Sequence, residues 1–391
     1  MTDDFLLLNP GPVPLEQAVL DVMAEPMVSH RSASFEAEYS RASEGLRYVF
    51  EQSSLDGTQT AAGGTPLLLM GTATLGMEAA IANLVDESDI VVTLENGKFG
   101  RRFRRIAERY ATVRPITAAW GESFSMDAIA GAISDDVDLV AMVHNETSTG
   151  LINPVEEVGD LAAEHDAHFV VDGVTSIGGD EFRIADWNVD IAITDAQKAL
   201  ASPPGISAMY VADGVDAALS GSAAPFYADL PRHVQKAGDN QTPFTSAIPL
   251  VRGMAVALEG IAAEGMPDRI ARHRRQARAF RAGFEAIGLS LFPEIAGPTE
   301  LSNTVTAVAL PDVVRSDPSV FFDAVADRNV SISGGQAHLG GKIFRVSNMG
   351  NLTDEAIIRG VETIAESMAV AGFSTDTDTG IAAAAEVLSQ D

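Results

Sequence analysis

Residues 168–205 read HFVVDGVTSIGGDEFRIADWNVDIAITDAQKALASPPG. Two apolar runs, HFVVD and DIAITD, each close on an acid, Asp172 and Asp195. Short apolar runs bounded by turn residues read as strands buried on both faces. Outward from this stretch the same alternation runs from about residue 16 to about residue 265. Strands are expected at PLLLM (66–70), DIVVTL (89–94), LVAMVH (139–144) and SAMYV (207–211), with helices between them at GMEAAIANLV, FGRRFRRIAERY and PVEEVGDLAAEHD. That order predicts an α/β fold with a mostly parallel sheet flanked by helices on both faces. Ligands of such sheets bind at the carboxyl ends of the strands, which is where His144, Asp172 and Asp195 fall.

Lys198 lies just past the second run, and the chain has only three other lysines, Lys98, Lys236 and Lys342. An amine and an acid 198 − 172 = 26 residues apart, at the ends of neighbouring buried strands, suit pyridoxal 5′-phosphate (PLP). The amine forms a Schiff base with the aldehyde, and the acid keeps the ring nitrogen protonated so that the ring accepts electrons. MGTATLGMEAAIANL (70–84) supplies a place for the phosphate. Gly71 permits a turn, Thr72 and Thr74 offer hydroxyls, and the start of the helix offers free N–H groups and a positive dipole end. Each motif alone has a plain structural explanation: a threonine N-cap, an aspartate turn before glycine, a loop lysine. Their combination carries the PLP reading.

Composition narrows the class. The 391 residues allow a large core and more than one domain, and 46% hydrophobic content is that of a globular chain. No apolar run approaches the ~18–20 residues that span a bilayer, and MTDDFLLLNPGPVP lacks the basic start and long apolar core of a signal peptide. A cytoplasmic protein is expected. With no cysteine there is neither a disulfide framework nor thiolate chemistry. The histidines show no H-E-x-x-H pairing, so no catalytic metal is expected. There are 55 acids and 26 bases, of which only four are lysine, for a net charge of −29. Such a charge argues against nucleic acid or anionic lipid as a partner. It suits a salt-rich, halophilic cytoplasm, where self-repulsion is screened.

Four segments are expected: an extended, Pro-rich N-terminal arm (1–15), a large cofactor-binding domain (16–265), a small C-terminal α+β domain (266–372) and a tail (373–391) that reads as a linker and one helix. The long helical stretch from Ile248 to about Ile287 is interrupted near Gly265, Met266 and Pro267. TVTAVAL, VSISG and IFRVSN read as strands of the small domain.

VHNETSTGLINP, VVDGVTSIGG and QKALASPPG, in this order and spacing, resemble the class V aminotransferases of PLP fold type I. The similarity is closest to the alanine–glyoxylate and serine–pyruvate aminotransferase group. It runs from LLLNPGPVP to GKIFRVSNMG, about nine tenths of the chain. The resemblance implies roles residue by residue. Lys198 would be the Schiff-base lysine and proton carrier, Asp172 the partner of the ring nitrogen, and Val174 would pack on one ring face. Phe99 would stack on the other face, where many relatives have tryptophan. Thr147 would hydrogen-bond the ring oxygen or a group near it. Thr72, Ala73, Thr74 and Gln197 would hold the phosphate, with Ala73-Thr74 replacing the Gly-His of many relatives. Thr245, in QTPFTSAIPL, would reach the phosphate of a neighbouring subunit in a homodimer with shared sites. Arg345 would clamp the substrate α-carboxylate, which a guanidinium fork matches bidentately, and Gly11 would line the substrate mouth.

The implied reaction is a two-stage, ping-pong transfer of an amino group from alanine or serine to glyoxylate or pyruvate. Aspartate and 2-aminoethylphosphonate are alternative donors. An aspartate donor would need a second cation, for which Arg31 and Arg101 are candidates. A PLP lyase of the desulfurase kind needs a cysteine that this chain lacks, and a non-catalytic binding protein would have no use for Lys198, Asp172 and Arg345 together. RRFRR (101–105) and RHRRQAR (272–278) read as helix faces paired with acids, one arginine of the first cluster lying near the site entrance. The charge balance makes one prediction. Activity and solubility should rise between dilute buffer and molar potassium chloride, and equal thermal stability in both would contradict the halophilic reading.

Overall fold

The computed structural model describes residues 5–219 and 225–390. The first four residues of the expected arm and the last residue of the tail lie outside them. Seven strands form the central sheet: β1 (Thr65–Met70), β2 (Ile90–Glu95), β3 (Thr112–Thr117), β4 (Leu139–Val143), β5 (His168–Asp172), β6 (Ile191–Asp195) and β7 (Ile206–Val211). Their spatial order is β1-β7-β6-β5-β4-β2-β3. Every neighbouring pair from β6 to β3 is parallel, whereas β7 runs antiparallel to both β1 and β6. β3, TVRPIT, is absent from the strands read in the sequence because it is mostly polar and only Ile116 is buried. It lies at the sheet edge, where Pro115 costs no ladder hydrogen bond.

Successive residues of the inner strands face opposite sides, and each side has its own core. Leu68, Val140 and Val171 pack with α1 (Ala33–Glu51) and with the helix Ile248–Glu264, whereas Leu67, Leu69, Ala141 and Val170 pack with α2 (Ala73–Leu84) and α3 (Lys98–Ala107). The sheet is thus buried on both faces, as continuous apolar runs require. Among the described residues no helix is long and apolar enough to cross a membrane.

The expected break in the long helical stretch is real. Gly265, at φ +88°, separates α4 (Ile248–Glu264) from α5 (Met266–Ala286). Met266 and Ile270, at the start of α5, belong to the large core, while Phe280 and Phe284, near its end, belong to the core of a second, smaller unit. That unit carries a three-stranded antiparallel sheet in which β10 (Ile343–Ser347) lies between β8 (Val305–Ala309) and β9 (Ser333–Gly334). The tail helix, α6 (Thr377–Leu388), is part of the same packing: Ala384 is fully buried, and a Cβ on Gly283 of α5 would come within 3.2 Å of the Gly380 carbonyl.

The N-terminal arm is anchored to the small unit. Leu6–Leu7 pairs in parallel with Val330–Ser331. Leu8 N–H donates to Ser331 O, and Leu8 O accepts from Ser347 N–H, both at 2.8 Å. The arm then crosses to the large sheet, where Val13 N–H donates to Gln197 O at 3.2 Å.

Helix α3 starts so close to β2 that a Cβ on Gly100 would lie 2.4 Å from the Leu94 carbonyl. Gly100→Ala should therefore lower stability by about 1–3 kcal/mol in denaturant titration. Gly131→Ala is the control, because nothing lies within 4 Å of that Cβ in the helix Met126–Ala132. It should be neutral or stabilising by up to about 1 kcal/mol.

Candidate active site

The carboxyl ends of β5 and β6 carry Asp172 and Asp195, and Lys198 sits in the turn that follows β6. Lys198 Nζ donates to the Pro10 carbonyl of the arm. The arm passes directly over the lysine at Gly11, whose φ is +87°, and a Cβ there would lie 2.5 Å from Lys198 Cδ. Both the conformation and the space demand glycine. Burial pushes the Lys198 ammonium down to about 8. Asp195 and Asp172 oppose that shift, and the Arg345 and Arg102 charges assist it. An amine with this acidity is about one tenth unprotonated at pH 7, on the order of a hundredfold more than an ordinary lysine, and so is more available as a nucleophile and base.

Asp172 is almost fully buried. Val174 N–H donates to its Oδ1 at 2.8 Å, and no other hydrogen bond reaches the carboxyl group among the described residues. Oδ2 is left to receive a proton donor from the cavity, as a pyridine nitrogen would provide. Beside it, Thr147 Oγ1 and Thr175 Oγ1 share a hydrogen bond at 3.0 Å, with Thr175 Oγ1 also donating to Asn145 O.

Phe99 opens α3, and its backbone is held by a residue that the sequence reading did not single out. Glu146 Oε2 accepts from Phe99 N–H and Gly100 N–H, both at 3.0 Å, and Glu146 Oε1 accepts from Ser148 N–H at 3.1 Å. Burial pushes the Glu146 carboxyl up, while these donors pull it back. A carboxylate at a helix start meets the positive dipole end, so Glu146 sets where Phe99 stands. Arg102, one turn on, covers the Phe99 ring at 4.7 Å and donates from Nη1 to Thr74 Oγ1 at 2.9 Å. It is the arginine of the first basic cluster that reaches the site. Arg101 and Arg104 pair instead with Glu95. In the second cluster Arg272, Arg274 and Arg275 pair with Glu264, Asp180 and Asp354.

Past the end of β1, the N-cap and first turn of α2 present Thr72, Ala73 and Thr74. Thr72 is the N-cap but makes no side-chain cap hydrogen bond. Ala73 N–H donates to Asp195 Oδ2 at 3.0 Å, and Gln197 Nε2 donates to the same oxygen at 2.7 Å. Asp195 Oδ1 and Gln197 Oε1 are buried without a hydrogen-bond partner among the described residues. Unpartnered buried polar atoms at a helix start mark a place built for a polar ligand group.

Arg345, on β10, enters the same region from the small unit. Its guanidinium donates to Gly334 O from Nε (3.2 Å) and Nη2 (2.8 Å), and to Thr147 O from Nη1 (2.9 Å). Burial lowers it to about 10, with Glu146 opposing. No carboxylate lies within ion-pair distance among the described residues. Thr245 is exposed and apart from this cluster, on a loop braced by Arg31, which donates to Gln241 Oε1 and to the carbonyls of Thr242 and Pro243. His144, although it follows β4, turns away: its Nδ1 contacts Ser176 Oγ at 2.9 Å, and its ring packs edge-on against Phe182 and Trp187.

These residues fit PLP. An amine under a glycine arm, an acid with a free oxygen, a half-buried aromatic ring and a helix start with orphaned polar atoms are all present. The comparisons with known proteins agree. Residues 6–351 match the family model described as Aminotransferase class-V. An uncharacterized aminotransferase of Methanocaldococcus jannaschii is 33% identical, covering 98% of this chain and 97% of its own. The L-aspartate–glyoxylate aminotransferase of Paracoccus denitrificans is 30% identical over 99% of this chain and 96% of its own. The crystal structure of pyridoxamine–pyruvate aminotransferase from Mesorhizobium loti superposes with a TM-score of 0.90 at 28% identity, covering 99% of this chain and 97% of that one.

Burial pushes Asp172 up to about 7, with Glu146 and Asp195 adding to the shift and Val174 N–H and Arg102 opposing it. A carboxyl raised in the folded state favours folding when protonated. That contribution is complete below the ordinary value of 3.8 and lost as pH rises through about 7. Asp172→Asn should therefore raise the melting temperature of the cofactor-free protein at about pH 8, with the gain shrinking towards about pH 5. The same change should slow amino-group transfer on the order of a hundredfold or more, because the ring nitrogen loses its anionic partner.

Proposed function

This chain belongs to the class V aminotransferases, PLP-dependent enzymes, and on that premise we propose that it transfers the amino group of alanine or serine to glyoxylate or pyruvate in two half-reactions. One observation supports this most: Arg345 is a buried cation with no carboxylate at ion-pair distance among the described residues, in the same region as the Lys198 amine. A buried charge needs a partner, and a substrate α-carboxylate supplies one. Three guanidinium N–H groups are committed to backbone carbonyls. That fixes the plane of the fork and leaves its remaining donors for the ligand.

PLP, when bound, supplies an aldehyde for the amine and a ring that withdraws electrons. The chain supplies the rest. Lys198 takes the proton from the substrate α-carbon and returns it on the cofactor side, as its lowered pKa permits. Asp172 Oδ2 would accept the proton of the ring nitrogen. Val174 and Phe99 would hold the ring, and the arm at Pro10 and Gly11 lies over the lysine and limits water there.

Two observations favour a donor without a side-chain carboxylate. Arg31 is spent on Gln241, Thr242 and Pro243, and Arg101 is spent on Glu95 and stacked over Trp120 at 4.7 Å. Neither is free to hold the second carboxylate of aspartate, although the Paracoccus denitrificans relative is named for that donor. The absence of cysteine disfavours desulfurase chemistry.

The working form is proposed to be a homodimer with shared sites. Thr245 is exposed, and so are Phe226 (75%) and Tyr227 (41%), which pack against Phe244 beside it. An apolar surface of this kind is normally covered by a partner. The partner subunit's Thr245 would then complete the phosphate site. The surface charge supports a cytoplasm rich in salt as the setting.

The test is a half-reaction screen in high salt with alanine, serine, aspartate and 2-aminoethylphosphonate, following loss of the cofactor's aldehyde absorbance. Alanine or serine should react, and Lys198→Ala should abolish the change. Failure of every donor would sink the transaminase reading. Arg345→Gln should lower kcat/KM for alanine on the order of a hundredfold, but leave 2-aminoethylphosphonate, which has no α-carboxylate, far less affected.

A further inference from the structure

The phosphate end of the site already contains an anion. Asp195 closes β6, is 3% exposed, and places Oδ2 on the first N–H of α2, at Ala73, and on Gln197 Nε2. Its other oxygen, Oδ1, is buried with no hydrogen-bond partner among the described residues. The groups around it are unevenly charged. Lys198 lies in the following turn, Asp172 ends the neighbouring strand β5, and Arg102 reaches the first turn of α2 through Thr74. Ser207, its partner across β7, is uncharged.

A helix start is a good seat for a phosphate because its N–H groups and dipole favour negative charge. Here a carboxylate occupies that seat. A phosphate carrying nearly two charges and an ionised carboxylate cannot share one N–H end without strong repulsion, and like charges in one site raise a carboxyl pKa. Burial alone already pushes Asp195 up, against the pull of Ala73 N–H, Gln197 and Lys198.

We propose that Asp195 takes up a proton from solvent when the phosphate of PLP docks, and meets it as a carboxylic acid. Oδ1–H donates to a phosphate oxygen, while Oδ2 keeps its bonds to Ala73 and Gln197. One proton enters from water for each PLP bound, and no other bond is made or broken by this step. Asp195 is thus a positioning residue that ties the grip on the phosphate to pH. It also narrows the preference for phosphorylated over phosphate-free forms of the vitamin, because the 5′-hydroxyl of pyridoxal can donate to an ionised Oδ1 at no protonation cost. This inference rests on PLP being the cofactor.

The test compares equilibrium binding of PLP and of pyridoxal to the cofactor-free full-length protein, read by quenching of tryptophan fluorescence, from about pH 6.5 to about pH 8.5. Both ligands condense with the same lysine, so their affinity ratio isolates the phosphate end. In the wild type the ratio should fall with rising pH, by up to about tenfold per pH unit for one linked proton. Asp195→Asn keeps an acceptor for Ala73 and offers a neutral N–H to the phosphate. It should flatten that slope and tighten PLP binding about tenfold or more at the upper pH, while pyridoxal binding stays the same or weakens. Calorimetry in two buffers of different ionisation heat should show about one more proton taken up per PLP by the wild type than by the variant. An unchanged ratio and slope in Asp195→Asn, or equal proton uptake, would overturn the proposal. If neither ligand binds the wild type at any pH, the cofactor assignment itself falls and this inference with it.

Discussion

Four charged side chains, Asp172, Asp195, Lys198 and Arg345, meet beyond the carboxyl ends of β5 and β6 with few partners for groups so buried. Taking an ion out of water costs several kcal/mol unless it is paired, so the fold tolerates this group only because the rest of the structure is stable enough to carry it. Two apolar cores supply that stability, one on each face of a sheet whose inner strands expose almost nothing. The carboxyl ends of β5 and β6 are the natural place for such groups, since the strands end there and the chain must turn. The acidity of each residue follows. Burial raises the acids and lowers the amine and the guanidinium: the acids and the amine move towards a range in which they can exchange a proton, while Arg345 stays a cation whose burial favours a charged ligand as partner.

Positions are set by backbone groups more often than by charge pairs. Glu146 fixes Phe99 by gripping two N–H groups at the start of α3, and Arg345 is aimed by the carbonyls of Gly334 and Thr147. Gly11 lets the arm lie against Lys198, and Gly100 lets α3 approach β2. In most of these cases a residue at a distant point of the chain decides where a site side chain stands, while Gly100 acts on its own neighbour Phe99.

The main features of the sheet are legible in the sequence because buried parallel strands leave continuous apolar runs, and the residue that closes each run is then easy to find. Asp172 and Lys198 are visible for that reason, and Phe99, Val174 and Arg345 through the resemblance. β3 is hidden because an edge strand needs no apolar pattern. Glu146, Arg102 and Asp195 are hidden as site residues for another reason: each acts on a segment far away in the chain, Asp195 on an N–H 122 residues earlier and Glu146 on one 47 residues earlier, and spacing carries no trace of such a contact. Asp195 can be recognised as a strand-end acid, but its bond to α2 cannot. Thr245, named through the resemblance, stands apart from the cluster on the exposed loop braced by Arg31. The tail reads as a linker and one helix, and the packing of its small residues against Gly283 of α5 is not visible in that pattern.

The arm joins the two ends of the molecule. Asn9 Nδ2 donates to Ser333 Oγ, 324 residues away, and Leu8 is hydrogen-bonded to both Ser331 and Ser347. The segment that roofs the reactive amine is therefore made long before the strands it docks on, Val330–Ser331 and Ile343–Ser347, and cannot settle until they have emerged. Until then the lysine lies open to water, and a ribosome-bound fragment with a finished large sheet still lacks a closed reaction chamber.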